Sequence, residues 1–247
     1  MAPSSPKAVL FLGATGGVGL SALRRSLAAG HTCIAVCRTP SKLTDKLGSA
    51  PPNLTVVQGN AHDAAVLEAA LAHPSKPNAL VDVVSSSIGG AFQLSNMGID
   101  DPTVCGRGMK ILLDTIAALR GKGFAGRPRV VGVSSTGLST LARDVPLLMV
   151  PLYHVMLKGA HEDKRAMERL LFASGEDWTV VRASLLTDGA ESATGIRVGV
   201  EDPNAEKVES KAVGYTISRE DTGKWIYENI VEGTDSTWSA KVATVTN

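Results

Sequence analysis

Short apolar segments alternate with segments of helical periodicity along most of this chain, and this alternation constrains the fold more than any other feature. Apolar runs of strand length recur at 7–12, 32–37, 53–58, 79–85, 128–134 and 178–182. Most are separated by helical segments, at 18–29, 63–72, 104–120 and 162–173. A crossover helix returns the chain to the same edge of a sheet, so successive strands run parallel. The sequence therefore predicts an α/β fold with a doubly wound parallel sheet, the Rossmann architecture.

The pattern weakens after residue 185, where a glycine-rich stretch containing a strand candidate at 196–200 precedes a helix at 219–231 and a last strand at 238–245. Ser218, followed three residues later by Asp221, is a start signal for that helix. No internal repeat or long linker divides the 247 residues. We therefore expect a single domain over 1–247.

The composition excludes several classes of protein. The 25 Lys and Arg residues nearly balance the 24 Asp and Glu residues, and aromatic residues make up only 4%. A chain with neither a basic surplus nor many stacking rings is not expected to bind nucleic acid. The longest uncharged apolar stretch outside the first strand, at 145–152, is far shorter than the ~20 residues that span a bilayer. No membrane association is therefore expected.

The cysteines indicate a reducing environment. Cys33, Cys37 and Cys105 are odd in number and form no CxxC pair, and no histidine cluster accompanies them at the spacing of metal ligands. We therefore expect free thiols and no metal site. The first residues also lack the features of a secretory signal. A cytoplasmic protein that is a monomer or a weak homodimer is the expectation.

The strongest local signal is a glycine-rich turn that follows the first strand directly and opens the first helix. Gly13 can make the tight turn out of the strand, Gly16 lets backbone N–H groups approach a pyrophosphate, and Gly19 lets helix and sheet pack closely. The helix N-terminus adds partial positive charge. The alternative is a glycine-rich turn without a ligand. The context favours a dinucleotide-binding turn made of Gly13, Thr15, Gly16, Gly17, Val18 and Gly19.

The end of the second strand indicates which nicotinamide cofactor binds. An NAD site usually has an acidic residue there to hold the ribose 2′-OH, whereas this chain has Arg38 and no acid from residue 36 to 43. Thr39, Ser41 and Lys42 add hydroxyl and cationic donors that suit a 2′-phosphate. The sequence therefore favours NADP, with a solvated loop charge as the alternative role for Arg38.

Four segments carry a family resemblance. They lie at 11–16 (Phe-Leu-Gly-Ala-Thr-Gly), 37–43 (Cys-Arg-Thr-Pro-Ser-Lys-Leu), 175–182 (Gly-Glu-Asp-Trp-Thr-Val-Val-Arg) and 217–221 (Ile-Ser-Arg-Glu-Asp). With the Gly-x-x-Gly-x-x-Gly spacing they resemble the atypical short-chain dehydrogenase/reductase superfamily. Within it the chain is most similar to the NmrA-like and flavin-reductase or biliverdin-reductase-like branch. The resemblance extends over nearly the whole chain and does not indicate the substrate.

The resemblance implies further cofactor contacts. Asn60 and Ala61 follow the third strand, where the family places the adenine, although Asn60 stands where the family usually has an aspartate. Asp63 is expected to cap the next helix. Ser85, Ser86 and Ser87 fall where the family's backbone passes the nicotinamide ribose, and a polar strand end is the equal alternative.

The residues expected to carry catalysis match the superfamily's pattern only in part. Many short-chain dehydrogenases place a Ser or Thr at the end of the fifth strand, which predicts Ser134, and add a Tyr-x-x-x-Lys pair. Lys164 aligns with the family's ribose-binding lysine, but Ala160 takes the tyrosine's position. Lys164 could instead pair with Glu168 on the helix surface. For the proton, Tyr153 or His154 could reach in from the preceding loop, water could supply it, or no redox step occurs.

The loop from 137 to 160 is long and apolar, which suggests a substrate lid, with Gly89, Gly90, Phe92, Leu94 and Met97 as an opposite wall. A partner-docking surface or a buried short helix is the alternative. Together with 185–217 this loop makes a small substrate-side region. We expect an NADPH-dependent reductase of a small apolar carbonyl, quinone, flavin or enone. The alternatives are an NADP(H)-binding redox sensor without turnover and a non-redox isomerase or cyclase.

Overall fold

The computed structural model describes residues 5–90, 92–93, 98–150, 158–234 and 236–247. The strands in this part of the chain are short and mostly apolar. Their bounds are β1 (Ala8–Leu12), β2 (Thr32–Cys37), β3 (Leu54–Gln58), β4 (Val83–Ser86), β5 (Phe92–Gln93), β6 (Gly98–Ile99), β7 (Arg129–Ser135), β8 (Asp177–Ala183), β9 (Leu185–Thr187), β10 (Arg197–Asp202), β11 (Lys207–Ser210), β12 (Thr216–Ser218) and β13 (Lys241–Thr246).

Nine of these strands form one sheet in the order β11-β10-β13-β8-β7-β4-β1-β2-β3. Seven neighbouring strands of this sheet run parallel, as the alternation of strand and helix predicts. In their order across the sheet they are β13, β8, β7, β4, β1, β2 and β3. The order reverses between β1 and β4, which is the switch point where doubly wound sheets bind ligands. The doubly wound Rossmann fold is therefore confirmed.

The helices follow the strands. Their bounds are α1 (Gly17–Ala28), α2 (Ser41–Leu47), α3 (Ala64–Leu71), α4 (Val104–Gly121), α5 (Lys158–Ala173) and α6 (Arg219–Ile226), and α6 continues as a π-helical turn at Tyr227–Val231. The two start signals in the sequence are confirmed. The Asp63 carboxylate accepts the Ala65 N–H at 2.9 Å, and the Ser218 hydroxyl accepts the Asp221 N–H at 2.9 Å.

Two apolar layers cover the two faces of the sheet, because successive side chains of a strand point to opposite faces. Val9 and Phe11 of β1 pack in the layer beneath α1 and α6, together with Trp225. Leu10 and Leu12 of the same strand pack in the layer beneath α3, α4 and α5. Burial on both faces explains why β1 has no polar residue.

The structure adds elements that the sequence pattern did not predict. α2 follows β2 within a few residues, and its short apolar face consists of the buried Leu43 and the partly buried Leu47, one helical turn apart. β10 matches the strand candidate at 196–200, but its place was not predicted. It joins the main sheet with β11 as an antiparallel addition, so part of the segment at 185–217 belongs to this sheet. β9 and β12 pair with each other in a separate parallel ribbon. α5 also begins at Lys158, earlier than expected.

The topology brings the ends of β1, β2, β4 and β7 to one edge of the sheet, because parallel strands share their carboxyl edge. The glycine-rich turn, the residues after β2 and the residues after β4 therefore meet there. Among the described residues, no helix combines the length and the apolar character that crossing a membrane requires.

Candidate cofactor site

The glycine-rich turn leaves the first turn of α1 open to an anion. Gly16 is the N-cap residue, its backbone is extended, and within α1 as described there is neither a side-chain cap nor an acidic residue in the first turn. Unsatisfied N–H groups and the positive end of the helix dipole both favour negative charge at this position. The turn therefore fits the pyrophosphate of a dinucleotide.

The glycines of the turn are required by geometry. Gly13 has φ of +91°, which confirms the tight turn, and Gly17 has φ of +57°, a left-handed conformation that the sequence did not predict. A Cβ atom at Gly19 would lie 2.4 Å from Ser87 Oγ and 2.6 Å from Gly13 O. This crowding confirms the close packing that was expected of Gly19.

The turn borders a cleft of about 640 Å³ at the carboxyl edge of the sheet. Most of its walls come from the turn and from the residues after β2, β3 and β4. The sequence assigned six of its lining residues to the cofactor, namely Gly13, Thr15, Gly16, Arg38, Asn60 and Ala61. The structure thus brings the predicted phosphate, ribose and adenine contacts together in one cavity.

The two long walls of the cleft carry opposite charge. Arg38 and Lys42 are exposed and line it where β2 leads into α2. Asp100 and Asp101 line it from the segment before α4. Two hydrogen bonds from Thr103, one from its backbone N–H and one from its hydroxyl, lower the pKa of Asp101, so this carboxylate is charged at neutral pH.

The three consecutive serines at the end of β4 differ in whether they reach the cleft. Ser85 and Ser86 are buried within the strand and are not among the described residues that line the cleft. Ser87 lines it, and its hydroxyl donates to Leu12 O at 3.2 Å and contacts Gly13 O at 3.4 Å. Of the three serines, Ser87 therefore offers its hydroxyl to the cleft, and the role of this segment at the ribose remains a prediction.

Lys164 bonds backbone carbonyls near the ends of β4 and β7. Its ammonium group donates to Val133 O at 2.7 Å and to Ile88 O at 3.1 Å, and Ile88 lines the cleft. The alternative pairing with Glu168 is wrong, because Glu168 is buried against another cation. Lys164 thus ties the ends of β4 and β7 together, and its cofactor contact remains a prediction.

A buried thiol lies beside this lysine. Cys105 Sγ donates to Ile88 O at 3.3 Å, so it shares an acceptor with Lys164. Burial raises the pKa of this thiol to about 11. Cys105 is therefore protonated at neutral pH. Because the nucleophilic form of cysteine is the thiolate, this residue has a structural role here.

Ser134 belongs to a buried ionic cluster and not to the cleft as the structure describes it. Its hydroxyl donates to Glu168 Oε1 at 2.6 Å, and Glu168 accepts two bonds from the Arg182 guanidinium, at 2.8 and 3.0 Å. Arg182 also donates to Glu201 at 2.8 Å, and all three charged side chains are at most 7% exposed. This geometry gives Ser134 a structural partner, and its catalytic role remains a prediction without support from these contacts.

A protein-family comparison identifies the family. The model of the NAD(P)H-binding family matches residues 13–232, which include the whole glycine-rich turn and most of the sheet. The chain belongs to this NAD(P)H-binding family. The residues of the uncapped turn and of the cleft beside it fit the dinucleotide that this family binds.

Two curated relatives span nearly the full chain. Reductase pytE of Aspergillus terreus is 39% identical over an alignment of 267 positions, which covers 98% of this chain and 99% of the relative. Oxidase pynE of Aspergillus niger is 30% identical over 285 residues, with the same coverage of both chains. One relative is named a reductase and the other an oxidase. An oxidoreductase activity is shown by the family and by these relatives.

Solved structures match the fold. A short-chain dehydrogenase/reductase of Veillonella parvula in complex with NADP has a TM-score of 0.74 and 18% identity, and the match covers 98% of this chain and 94% of that chain. ChuY, an anaerobilin reductase of Escherichia coli, has a TM-score of 0.67 and 20% identity, with 96% of each chain covered. At this identity they show the fold of the family member and not its substrate.

The predicted lid is only partly visible. Tyr153 and His154 lie outside the described residues, as do Leu94 and Met97. In the described part of the loop, Leu138 and Val145 are buried, and the turn at Leu147–Met149 carries two exposed leucines. Leu147 and Leu148 are 72% and 81% exposed. The substrate lid therefore remains a prediction.

Two cations beside the glycine-rich turn escaped sequence reasoning. Lys46 of α2 donates to Thr15 O at 2.8 Å. Arg219 of α6 lies against Gly17, with its Cδ 3.1 Å from the position of a Cβ atom there. Lys46 escaped notice because the sequence analysis did not predict α2. Arg219 lies within the family-like motif at 217–221, but its distance from the turn in sequence concealed the contact.

Proposed function

We propose that this family member is an NADPH-dependent reductase of a small apolar carbonyl, quinone, flavin or enone compound. The observation that carries the proposal is the presence of Arg38 and Lys42 in the same cleft as the uncapped glycine-rich turn. Two cations at the end of β2, with no acid from residue 36 to 43, favour a ribose 2′-phosphate over a free 2′-OH. The 39% identity with Reductase pytE supports the direction of the reaction.

The chain's own residues orient the cofactor. The free N–H groups of α1 bind the pyrophosphate, and Arg38 with Lys42 binds the 2′-phosphate. Lys164, held between Ile88 O and Val133 O near the ends of β4 and β7, positions the nicotinamide ribose. The bound NADPH supplies the hydride.

The proton comes from a source other than the usual tyrosine. Ala160 has no ionisable group, so the helix position that donates in many related enzymes cannot donate here. Either water or Tyr153, from the loop before α5, supplies the proton. A proton from solvent suits substrates such as flavins and quinones, whose reduced forms hold charge until they are protonated. The apolar residues of the loop at 137–160 support an apolar substrate.

Isotope transfer tests the reaction without a guess about the substrate. The purified protein is incubated with NADPH that carries deuterium at the transferable C4 position and with a metabolite extract, and the products are analysed by mass spectrometry. Deuterium in a product is expected. Transformed but unlabelled metabolites would replace the proposal with an isomerase or cyclase, and no change despite cofactor binding would replace it with a sensor.

The cofactor preference has its own test. Arg38→Met should weaken NADPH binding by about 10-fold or more, because a charged hydrogen bond to phosphate is lost, and should leave NADH binding nearly unchanged. Arg24→Met is the matched control, since Arg24 is exposed and binds Lys46 O outside the cleft. Equal losses for NADPH and NADH would remove Arg38 from the 2′-phosphate site.

The oxidase name of the second relative favours one variation of this function. Hydride transfer between NADP and a substrate is reversible, so the same site can oxidise an alcohol or saturated substrate with NADP⁺. Incubating the labelled product with NADP⁺ tests it, because return of deuterium to the cofactor would show that the enzyme also works in this direction.

The compartment and the assembly state remain proposals. The three cysteines are free and buried, which supports a reducing compartment such as the cytoplasm. A monomer or weak homodimer is expected, and light scattering of the purified protein measures it directly.

A further inference from the structure

The motif Ile-Ser-Arg-Glu-Asp at 217–221 opens α6, and the structure places this helix start beside the glycine-rich turn. Ser218 caps the helix by accepting the Asp221 N–H at 2.9 Å. The Asp221 carboxylate in turn accepts the Ser192 N–H, at 3.1 and 3.2 Å to its two oxygens. The first residues of α6 are therefore held firmly in place, although they lie about 200 residues from the turn.

Close packing of α6 on α1 fixes the distance between this helix start and the turn. A Cβ atom at Gly223 would lie 2.4 Å from Ser21 Cβ and 2.7 Å from Val18 O, so the helices approach more closely than any other residue would permit. The Ser21 hydroxyl also donates to Glu220 O at 3.0 Å. The backbone beside Arg219 is thus bonded to the helix that binds the pyrophosphate.

The Arg219 side chain lies across the first residue of α1. Its Cδ and Nε are 3.1 and 3.5 Å from the position that a Cβ atom would take at Gly17. Its guanidinium donates to Asp188 at 2.8 Å, and Asp188 is 94% exposed. An ion pair with so exposed a carboxylate contributes little free energy, so the guanidinium can exchange this partner for another anion at small cost.

We propose that Arg219 binds the pyrophosphate of the bound dinucleotide and exchanges Asp188 for a phosphate oxygen when the cofactor enters. The N–H groups of α1 approach the pyrophosphate from below, and the guanidinium closes over it from the side of α6. A guanidinium suits this role because it donates two parallel hydrogen bonds to phosphate oxygens. The inference rests on the proposed NADP(H) binding at the same cleft and assigns a role to the late motif.

Binding measurements with two ligands test the inference. Arg219→Met should weaken NADP⁺ binding about 10- to 100-fold, the effect of losing charged hydrogen bonds, as measured by calorimetry. Adenosine 2′-monophosphate, which lacks the pyrophosphate, should bind the variant and the wild type equally. Arg219→Lys should lose part of the affinity, because an ammonium group keeps the charge without the paired donors.

The matched control is Lys224→Met. Lys224 lies on the same helix and pairs with the exposed Glu191 at 2.7 Å, so its loss removes a similar ion pair far from the turn. Its NADP⁺ affinity should equal that of the wild type. Asp188→Asn separates direct binding from an effect of the ion pair. The freed Arg219 should bind NADP⁺ equally well or more tightly.

Three results would overturn the inference. The first is unchanged NADP⁺ affinity in Arg219→Met while the wild type binds NADP⁺, which leaves the proposed function intact. The second is a loss in Asp188→Asn that equals the loss in Arg219→Met, because the ion pair itself would then matter. The third is a wild type that binds no NADP⁺, which would overturn the proposed function together with the inference.

Discussion

The carboxyl edge of the sheet has two halves of opposite character. Above β1 and β2, the turn at Gly16 and the side chain of Arg38 leave their hydrogen-bond donors open to a cleft. Above β7 and β8, Ser134 and Arg182 are buried and bonded to neighbouring side chains. The first half is built to receive an anion, whereas the second satisfies its own charges. Position at the carboxyl edge is therefore not sufficient to make a polar residue a ligand contact.

Among the variants that test this difference between the two halves, removal of Arg182 should have the largest effect on stability. Arg182→Met leaves Glu168 and Glu201 as buried, uncompensated charges, so the free energy of unfolding should fall by about 3–5 kcal/mol. Urea denaturation measures it. Lys110→Met, which breaks an exposed helix pair with Asp114, should change it by less than ~0.5 kcal/mol. Similar small losses in both variants would mean that the cluster is not a stabilising unit.

A methyl group in the glycine-rich turn should have the next largest effect. Gly19→Ala forces a Cβ atom against Ser87 Oγ and the Gly13 carbonyl, so we expect a loss of about 1–3 kcal/mol in stability. NADP⁺ binding, followed by fluorescence, should fall as well because the turn must shift. Gly121→Ala is the control, since its Cβ meets no atom within 4 Å. Normal cofactor binding by Gly19→Ala would contradict the close packing described here.

Lys164 lies between the two halves, and its replacement tests whether it takes part in turnover or only in the structure. Lys164→Met removes charged hydrogen bonds to Ile88 O and Val133 O, and we expect NADPH turnover to fall by about 10-fold or more. Steady-state kinetics with an established substrate measures this. Equal turnover by variant and wild type, with the exposed Lys110→Met as reference, would assign Lys164 to structure alone.

The smallest expected effect concerns pH. Burial raises the pKa of Asp144, whose carboxylate accepts the Gly137 N–H at 2.9 Å. The folded state therefore holds this proton more tightly than the unfolded state, so the Asp144 contribution to stability is complete at low pH and declines as pH rises through its folded pKa. Asp144→Asn should remove this decline, and its stability relative to the wild type should improve from pH 4 to pH 7.

Asp101 is the control, because its pKa is shifted in the opposite direction to that of Asp144. Hydrogen bonds from Thr103 lower the pKa of Asp101, so its contribution to stability is present at neutral pH and is lost as the solution becomes acidic. Asp101→Asn should therefore lose stability relative to the wild type as pH rises from 3 to 6. Thermal unfolding over this range measures both variants. The same slope for both would contradict the assigned environments.

Local sequence signals predicted much of the cofactor half. The left-handed turn at Gly13, the close approach at Gly19 and the caps at Asp63 and Ser218 depend on contacts among nearby residues or on the intrinsic freedom of glycine. Arg38 could be placed because it directly follows a strand whose end is fixed by the sheet. Local chemistry and chain direction were enough for these assignments.

The tertiary structure decided which polar residues reach the cleft. Ser85, Ser86 and Ser87 are identical in sequence terms, yet the end of β4 decides which of them is buried and which lines the cavity. Lys164 bonds the carbonyls of Ile88, after β4, and Val133, in β7, and not the Glu168 carboxylate, because Glu168 pairs with Arg182. Such choices depend on competition among groups that are distant in sequence.

The sequence by itself determined the fold class, the phosphate-binding turn and the cationic end of the cleft, because strand and helix periodicity, glycine backbone freedom and strand direction are local properties. Only the tertiary structure brought Arg219 to Gly17 and enclosed Ser134 in an ionic cluster. These contacts join segments that are tens to hundreds of residues apart. They arise from the packing of α6 on α1 and of α5 on the sheet, which no local pattern specifies.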